Sequence, residues 1–235
     1  MANDKKPTPR PEMTTPFAGF AIWPKLAEPD FGTKEYPKPN GEFNTKLRYT
    51  REEAEPLIAM LRDVYAEADE KGKAEYASLD AATRKKKGND YFLRDLFDEE
   101  LDDNENATGN VIFKFKMSHS GVSKKTGKEW SRMLALFDAK GQPIRGAARP
   151  RIMSGSMLKI NFSAVPNFTL KAGAGVTLYM NAVQIVELSD GTKSAEEYGF
   201  GAVDDGFEYT PDEFASAPKA APAAATKADD DEDDF

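Results

Sequence analysis

Segments in the second half of the chain alternate apolar and polar residues with a period of two, a pattern that a half-buried β-strand satisfies and a helix does not. From Val111 to Ser118, Val111, Phe113, Phe115 and Met117 share one face, and Ile112, Lys114, Lys116 and Ser118 share the other. Leu158, Ile160, Phe162 and Ala164 likewise oppose Lys159, Asn161 and Ser163. In Val176–Leu188 the residues Val176, Leu178, Met180, Ala182, Val186 and Leu188 oppose Thr177, Tyr179, Asn181 and Glu187. A fourth apolar segment, Trp130–Asp138, lies between the turns Lys124–Lys128 and Ala139–Pro143. Four strands with Gly-bearing links predict a meander whose outer face carries lysines and amides.

The first half supplies two more strands, Phe17–Trp23 and Phe43–Tyr49, separated by a loop punctuated with Pro24, Pro29, Gly32, Pro37, Pro39 and Gly41. Ala54, Leu57, Ile58, Leu61, Val64, Tyr65 and Ala68 then recur at helical spacing, and Thr50 with Glu53 resembles a capping box. Pro56 predicts either a bend or a later start to the regular helix. A shorter helix is expected over about 73–86, followed by an acidic loop from Asp95 to Asn106. Two strands, a helical insertion over about 50–106 and about four further strands predict a mainly β protein. The architecture expected is an OB-fold, a five- to six-stranded barrel whose outer face and loops bind oligonucleotides. Residues 1–16, with four prolines, read as a flexible arm, 17–190 as the barrel domain, and 191–235 as a linker and disordered acidic tail.

Charge is sorted along the chain. The overall net charge is −8. Residues 110–189 nevertheless hold 12 basic and 3 acidic residues, net +9; residues 190–235 carry −11, and 50–106 carry −8. The chain has 0 Cys and 1 His, His119, which excludes disulfides, Cys-based zinc sites, thiol nucleophiles and multi-His metal centres. No apolar run approaches a membrane span and the N-terminal residues do not read as a signal peptide, so a soluble intracellular protein without a membrane partner is expected.

A cationic groove for phosphates beside aromatic planes for bases is how single-stranded nucleic acid is held. The basic stretch offers Lys114, Lys116, Lys124, Lys125, Lys128, Arg132, Arg149, Arg151, Lys159 and Lys171 as cations, and Trp130, Phe168 and Tyr179 as aromatics at strand edges, loops or polar faces. Phe168, after Pro166 and Asn167 in an expected loop, is the strongest stacking candidate, while Phe113 and Phe115 belong to the core. Gly173-Ala174-Gly175 falls between strands and reads as a turn. The cluster Glu99–Asp103 lacks calcium-loop spacing. No catalytic residue, metal site or cofactor is expected. A nucleic-acid-processing enzyme such as a metal-dependent nuclease is the alternative, but it needs convergent acids that the basic stretch does not supply.

The C-terminus adds an Ala/Pro-rich spacer, six acids (Asp229, Asp230, Asp231, Glu232, Asp233 and Asp234) and a terminal Phe235. A solvated tail needs no final aromatic; acids ending in an apolar ring have the form of a detachable ligand for a basic pocket.

Several motifs in order resemble the single-stranded DNA-binding protein of T7-like bacteriophages: Glu28-Pro29-Asp30-Phe31-Gly32, Phe113-Lys114-Phe115-Lys116, Lys124-Lys125-Thr126, Asp138-Ala139-Lys140-Gly141, and Ser154–Lys159 leading to Ser163–Pro166. The resemblance spans Phe17 to Leu188 together with the form of the tail. It implies an OB-fold and sequence-independent binding of single-stranded DNA during phage DNA replication, recombination and repair. It also implies a cytoplasmic location in the infected bacterium, and a tail that contacts the phage DNA polymerase and helicase-primase; the complementarity of the acid run to the +9 stretch predicts that the tail also shields the DNA groove. A homodimer is left open. By motif, Lys116 carries a DNA contact, and Arg84 lies in the basic segment where another is expected. The family's Tyr after the Val-Pro pair is replaced here by Asn167 and Phe168.

Overall fold

Strand pairing closes the expected barrel. The computed structural model describes residues 11–87, 90–146 and 149–191. The acidic tail Asp229–Phe235, its spacer and the first ten residues lie outside the described residues. The elements run β1 (Met13–Thr14), β2 (Gly19–Gly32), β3 (Pro37–Thr50), α1 (Arg51–Ser78), α2 (Ala81–Lys87), β4 (Asp98–Leu101), β5 (Ala107–Ser118), β6 (Ser120–Val122), β7 (Glu129–Ser131), β8 (Ala135–Phe137), β9 (Pro143–Ile144), β10 (Met157–Thr169) and β11 (Gly173–Glu187). The order β10-β2-β3-β5-β11 closes on itself because β10 also pairs with β11, giving a five-stranded OB-like barrel.

The seam is where the simple meander is corrected. β11 runs antiparallel to β10 but parallel to β5, through Leu178 with Phe115 and Tyr179 with Lys116. Its far end pairs in parallel with β8, at Ala182–Gln184. The expected strand Trp130–Asp138 is split: β7 forms a small hairpin with β6, and β8 joins the barrel sheet. Met13 and Thr14, assigned to the arm, pair with Phe162 and Asn161, and the buried Thr15 hydroxyl accepts the Ile160 amide at 3.1 Å.

Alternation fills the barrel. Phe43 and Leu47 from β3, Phe113 and Phe115 from β5, and Leu158, Ile160 and Phe162 from β10 are all within about 1% of complete burial. In β11 the alternation changes phase, because Asn161 faces Ala182 while the next residue, Phe162, faces Met180. Asn181 is the extra residue of a bulge, and the side chains from Ala182 to Ile185 change face, until a second register shift leaves Val186 as an extra residue. Val183 and Ile185 are therefore buried, opposite to the sequence expectation, and Val186 and Leu188 are exposed.

α1 plugs the barrel. Thr50 and Glu53 form the reciprocal capping box, with Glu53 N–H donating to Thr50 Oγ1 at 3.2 Å and Thr50 N–H to Glu53 Oε2 at 3.1 Å. The helix starts at that cap and runs through Pro56, which removes one donor for the Glu52 carbonyl. Ala54, Leu57 and Leu61 enter the core, and Gly72 passes so close to β11 that a Cβ there would lie 2.4 Å from that of Ala174. The predicted second helix is shorter than expected, because α1 continues to Ser78. Part of the expected acidic loop is β4, which pairs with β5. No helix among the described residues is long and apolar enough to cross a membrane.

Candidate nucleic-acid interface

The outward residues of the barrel strands line up across the sheet, because register places like-facing residues side by side. Lys25 pairs with Asn44, Asn44 with Lys116, Lys116 with Tyr179, and Tyr179 with Ser163. A neighbouring row joins Ile22, Lys46 and Lys114. These rows border a cleft of about 700 Å³ walled by β2, β3, β5, the start of β11 and the segment from Phe92 to Asp98. That segment is tied to β11 by two backbone hydrogen bonds, Arg94 N–H to the Ala174 carbonyl and Ala174 N–H to the Phe92 carbonyl, each 2.9 Å.

The cations of the cleft are engaged differently. Lys38 Nζ donates to Asp30 Oδ2 at 2.9 Å and Glu42 Oε1 at 3.1 Å. The hydrogen bond from Lys38 holds the Asp30 carboxyl below its ordinary value, and Asp30 in turn raises the Lys38 ammonium. Lys114 pairs with Asp98 at 2.5 Å. That exposed pair contributes at most ~1 kcal/mol, so Lys114 can exchange it for a phosphate at small cost. Among the described residues Lys46 and Lys116 carry no ion pair, and Lys116 Nζ lies 6.0 Å from the centroid of the Tyr179 ring. The Arg94 guanidinium donates to neutral groups, the Asn167 side-chain oxygen and the Ala174 carbonyl, and among the described residues it has no ion-pair partner.

Of the residues expected from sequence, Lys114 and Lys116 line the cleft and Tyr179 adjoins it. Lys124 and Lys125 are exposed at the tip of the β6–β7 hairpin. On the same hairpin the Trp130 ring packs over Gly121, and the Arg132 guanidinium lies 5.2 Å from it while donating to the Ser118 carbonyl at 3.0 Å. This hairpin stands beside the first part of β3, since Ser120 Oγ donates to the Asn40 carbonyl and His119 N–H to the Gly41 carbonyl. Lys159 points outward from β10 opposite Gln184, and Arg151 is exposed. Neither lines the cleft.

Three of the expected residues are engaged within the fold. Arg149 is a structural cation: its guanidinium donates to the carbonyls of Leu26 and Leu134, each at 2.9 Å, and of Ala27 at 3.0 Å, tying β2 to the chain before β8. Phe168 is in β10 rather than a loop, and it is packed, stacked on Tyr91 at 6.2 Å and edge-on to Tyr76 at 6.4 Å. An aromatic there fills the joint between α1 and the β10–β11 hairpin. Arg84, in α2, belongs to the same cluster, with its guanidinium carbon 5.5 Å above the Tyr76 ring.

Sequence reasoning missed Lys46, Arg94 and Trp23, all of which line the cleft. Lys46 was accessible from its alternation with Thr45 and Leu47 in the second strand. Arg94 lies in the net-acidic segment, where averaging hid it. Trp23 ends the expected strand Phe17–Trp23, and it is 77% exposed. Among the described residues no cluster of His, Asp and Glu is arranged to hold a metal ion.

A family model described as single-stranded DNA-binding protein, bacteriophage T7, matches residues 18–188. Among solved structures, the single-stranded DNA-binding protein gp2.5 of bacteriophage T7 superposes with a TM-score of 0.56 at 23% identity, covering 86% of this chain and 100% of that one. The single-stranded DNA-binding protein of bacteriophage Enc34, solved in complex with single-stranded DNA, gives a TM-score of 0.51 at 7% identity, over 77% of this chain and 89% of that one. Curated protein sequences give no match. At these identities the structural likeness establishes the barrel fold, and the family model, spanning well over half the chain, establishes membership: the chain belongs to the bacteriophage T7 family of single-stranded DNA-binding proteins.

Proposed function

We infer that this chain coats single-stranded DNA irrespective of sequence, protecting it during phage DNA replication, recombination and repair in the cytoplasm of the infected bacterium. The observation that carries the reading is the row Asn44–Lys116–Tyr179, a cation with no ion pair among the described residues beside an aromatic plane on the open barrel face. Phosphates are met by Lys46, Lys114, Lys116 and Arg94, and bases by ring faces, which are sequence-tolerant because every base has a π-face. Binding of this kind requires no catalytic group or cofactor. Asp229–Phe235 serve as a shield for the same cleft and as the contact for the phage DNA polymerase and helicase-primase, supported by an acidic run that ends in an aromatic and is complementary in charge to the basic stretch.

A salt titration with single-stranded and duplex DNA of equal length tests the reading. Four phosphate contacts predict a log–log slope of about −3 for single strands, at ~0.7 per contact, and weaker duplex binding. Affinity independent of salt overturns it. Incubation with labelled DNA and Mg²⁺ is expected to leave the DNA intact, whereas product formation would favour the nuclease alternative.

A further inference from the structure

We propose that Trp23 is a base-stacking platform at the rim of the cleft, taking the face of an unpaired nucleobase. The proposal rests on the single-strand reading of that cleft and adds to it a residue outside the cationic row.

Trp23 has φ +53°, and it precedes Pro24. A non-glycine residue rarely adopts positive φ, and a residue before proline is ordinarily extended, so this conformation persists only where the surroundings impose it. They do so visibly. The β2–β3 register slips between the pairs Ile22–Lys46 and Lys25–Asn44, leaving Trp23 and Pro24 out of the ladder as a bulge. The Trp23 N–H is instead taken by Ser154 Oγ at 3.0 Å, while Ala21 is clamped on both sides, its N–H to the Ser156 carbonyl at 2.9 Å and its carbonyl to the Gly155 N–H at 3.0 Å. The Ser154-Gly155-Ser156 motif thus has a structural task, which is to hold the bulge.

The bulge turns the indole outward. The residue is 77% exposed, and among the described residues no ring or guanidinium packs on it. Folding gains little from so large an exposed apolar side chain. Its position supplies the reason: the next residue back, Ile22, is the register partner of Lys46, which pairs with Lys114, so the ring stands beside cations that would hold the backbone of the strand whose base it meets. Indole offers a large stacking surface with little side-chain entropy to lose, and a cationic border selects a polyanion over an apolar protein partner.

The test uses the full-length chain and two ligands, oligo(dT) and an abasic strand with the same number of phosphates. Trp23→Ala is expected to bind oligo(dT) about 5- to 150-fold more weakly, the equivalent of ~1–3 kcal/mol for one stacked base, with an unchanged salt slope and unchanged affinity for the abasic strand. Because the chain has 2 Trp, Trp23 and Trp130, the Trp130→Phe background isolates the fluorescence of Trp23. Quenching by oligo(dT) but not by the abasic strand is expected. Trp23→Gly, which relieves the backbone, should melt no lower than Trp23→Ala while sharing its binding defect. Wild-type affinity for oligo(dT) in Trp23→Ala, or an unquenched Trp23 in a complex that forms, overturns the stacking role while leaving the single-strand reading intact. A wild-type chain that binds no single strand overturns that reading and this one together.

Discussion

Lys116 and Tyr179 are register partners across the parallel β5–β11 seam, and the ammonium lies 6.0 Å from the centroid of the phenol ring. The contact spans the one parallel pairing among the five barrel strands, so cation and plane are brought together by segments distant in the sequence. On the proposed function, a phosphate held at Lys116 would bring its neighbouring base within reach of Tyr179.

Lys116→Ala should weaken binding to all single-stranded sequences alike and make the salt slope shallower by ~0.7. Tyr179→Ala should weaken binding by ~1–3 kcal/mol without changing the slope. Fluorescence anisotropy over a salt series measures both, and a Tyr179→Ala variant that loses slope rather than intercept contradicts the division of labour.

Phe168 should behave as a packing residue. Phe168→Ala removes a ring shared by Tyr76 and Tyr91 and is expected to cost about 1–3 kcal/mol of stability, less than a fully buried Phe because the site is half-buried. Chemical denaturation checks the loss. Affinity per folded molecule should stay near wild type, and a stable variant with a large binding defect would return Phe168 to the DNA interface.

What the sequence made legible was local. The alternation Val111–Ser118 and the Thr50–Glu53 box depend on neighbours a few residues away, and both stand in the structure. What it hid depends on distant chain. The phase change at Asn181 comes from a bulge against β10, where Asn181 Nδ2 also donates to Asn161 Oδ1 at 3.0 Å, and no periodicity within β11 announces it. Arg149 looked like any cation of a basic stretch, since its three carbonyl partners include Leu26 and Ala27, more than a hundred residues upstream. The cleft drew from both halves of the chain, so a charge sum confined to 110–189 found Lys114 and Lys116 but passed over Lys46 and Arg94.

Arg149→Met keeps a long side chain and deletes the donors to three carbonyls. Leaving partly buried acceptors unsatisfied should lower stability by on the order of 2 kcal/mol. The salt slope of DNA binding should not change, because the guanidinium is spent inside the fold. Urea denaturation together with a salt titration separates the two roles, and a slope reduced by one contact in a stable protein would make Arg149 a DNA ligand.

Stability should fall at alkaline pH. Burial, reinforced by the hydrogen bond to Asp69, pushes the Tyr91 hydroxyl up to about 12 from its ordinary value of 10.0, and burial also pushes Tyr49 up. A raised folded-state pKa means that the folded chain binds more protons than the unfolded chain between about 10 and 12, so stability is level below that window and declines as pH rises through it. Thermal melting from pH 9 to 12 should show the decline, and Tyr91→Phe should flatten it. An unchanged slope in Tyr91→Phe would contradict the assignment.

Residues 215–235 join an Ala/Pro-rich spacer to the acids Asp229–Asp234 and Phe235. The net charge of +9 in residues 110–189 is complementary to the acids Asp229–Asp234, and an Ala/Pro-rich spacer joins the two segments, so the proposed role of the tail is that of an intramolecular competitor. Competition lowers apparent affinity by the fraction of time the cleft is occupied. Deletion of residues 215–235 should therefore raise single-strand affinity, most at low salt, where the attraction is least screened. The same deletion should abolish association with the phage polymerase and helicase-primase. Phe235→Ala should impair that association while leaving DNA affinity nearly unchanged, because the acids supply the competition and the ring supplies the partner contact. Equilibrium binding at two salt concentrations, paired with a pull-down of the replication proteins, measures both arms. Unchanged affinity on truncation at low salt contradicts the shield, and full partner binding by Phe235→Ala contradicts the anchor.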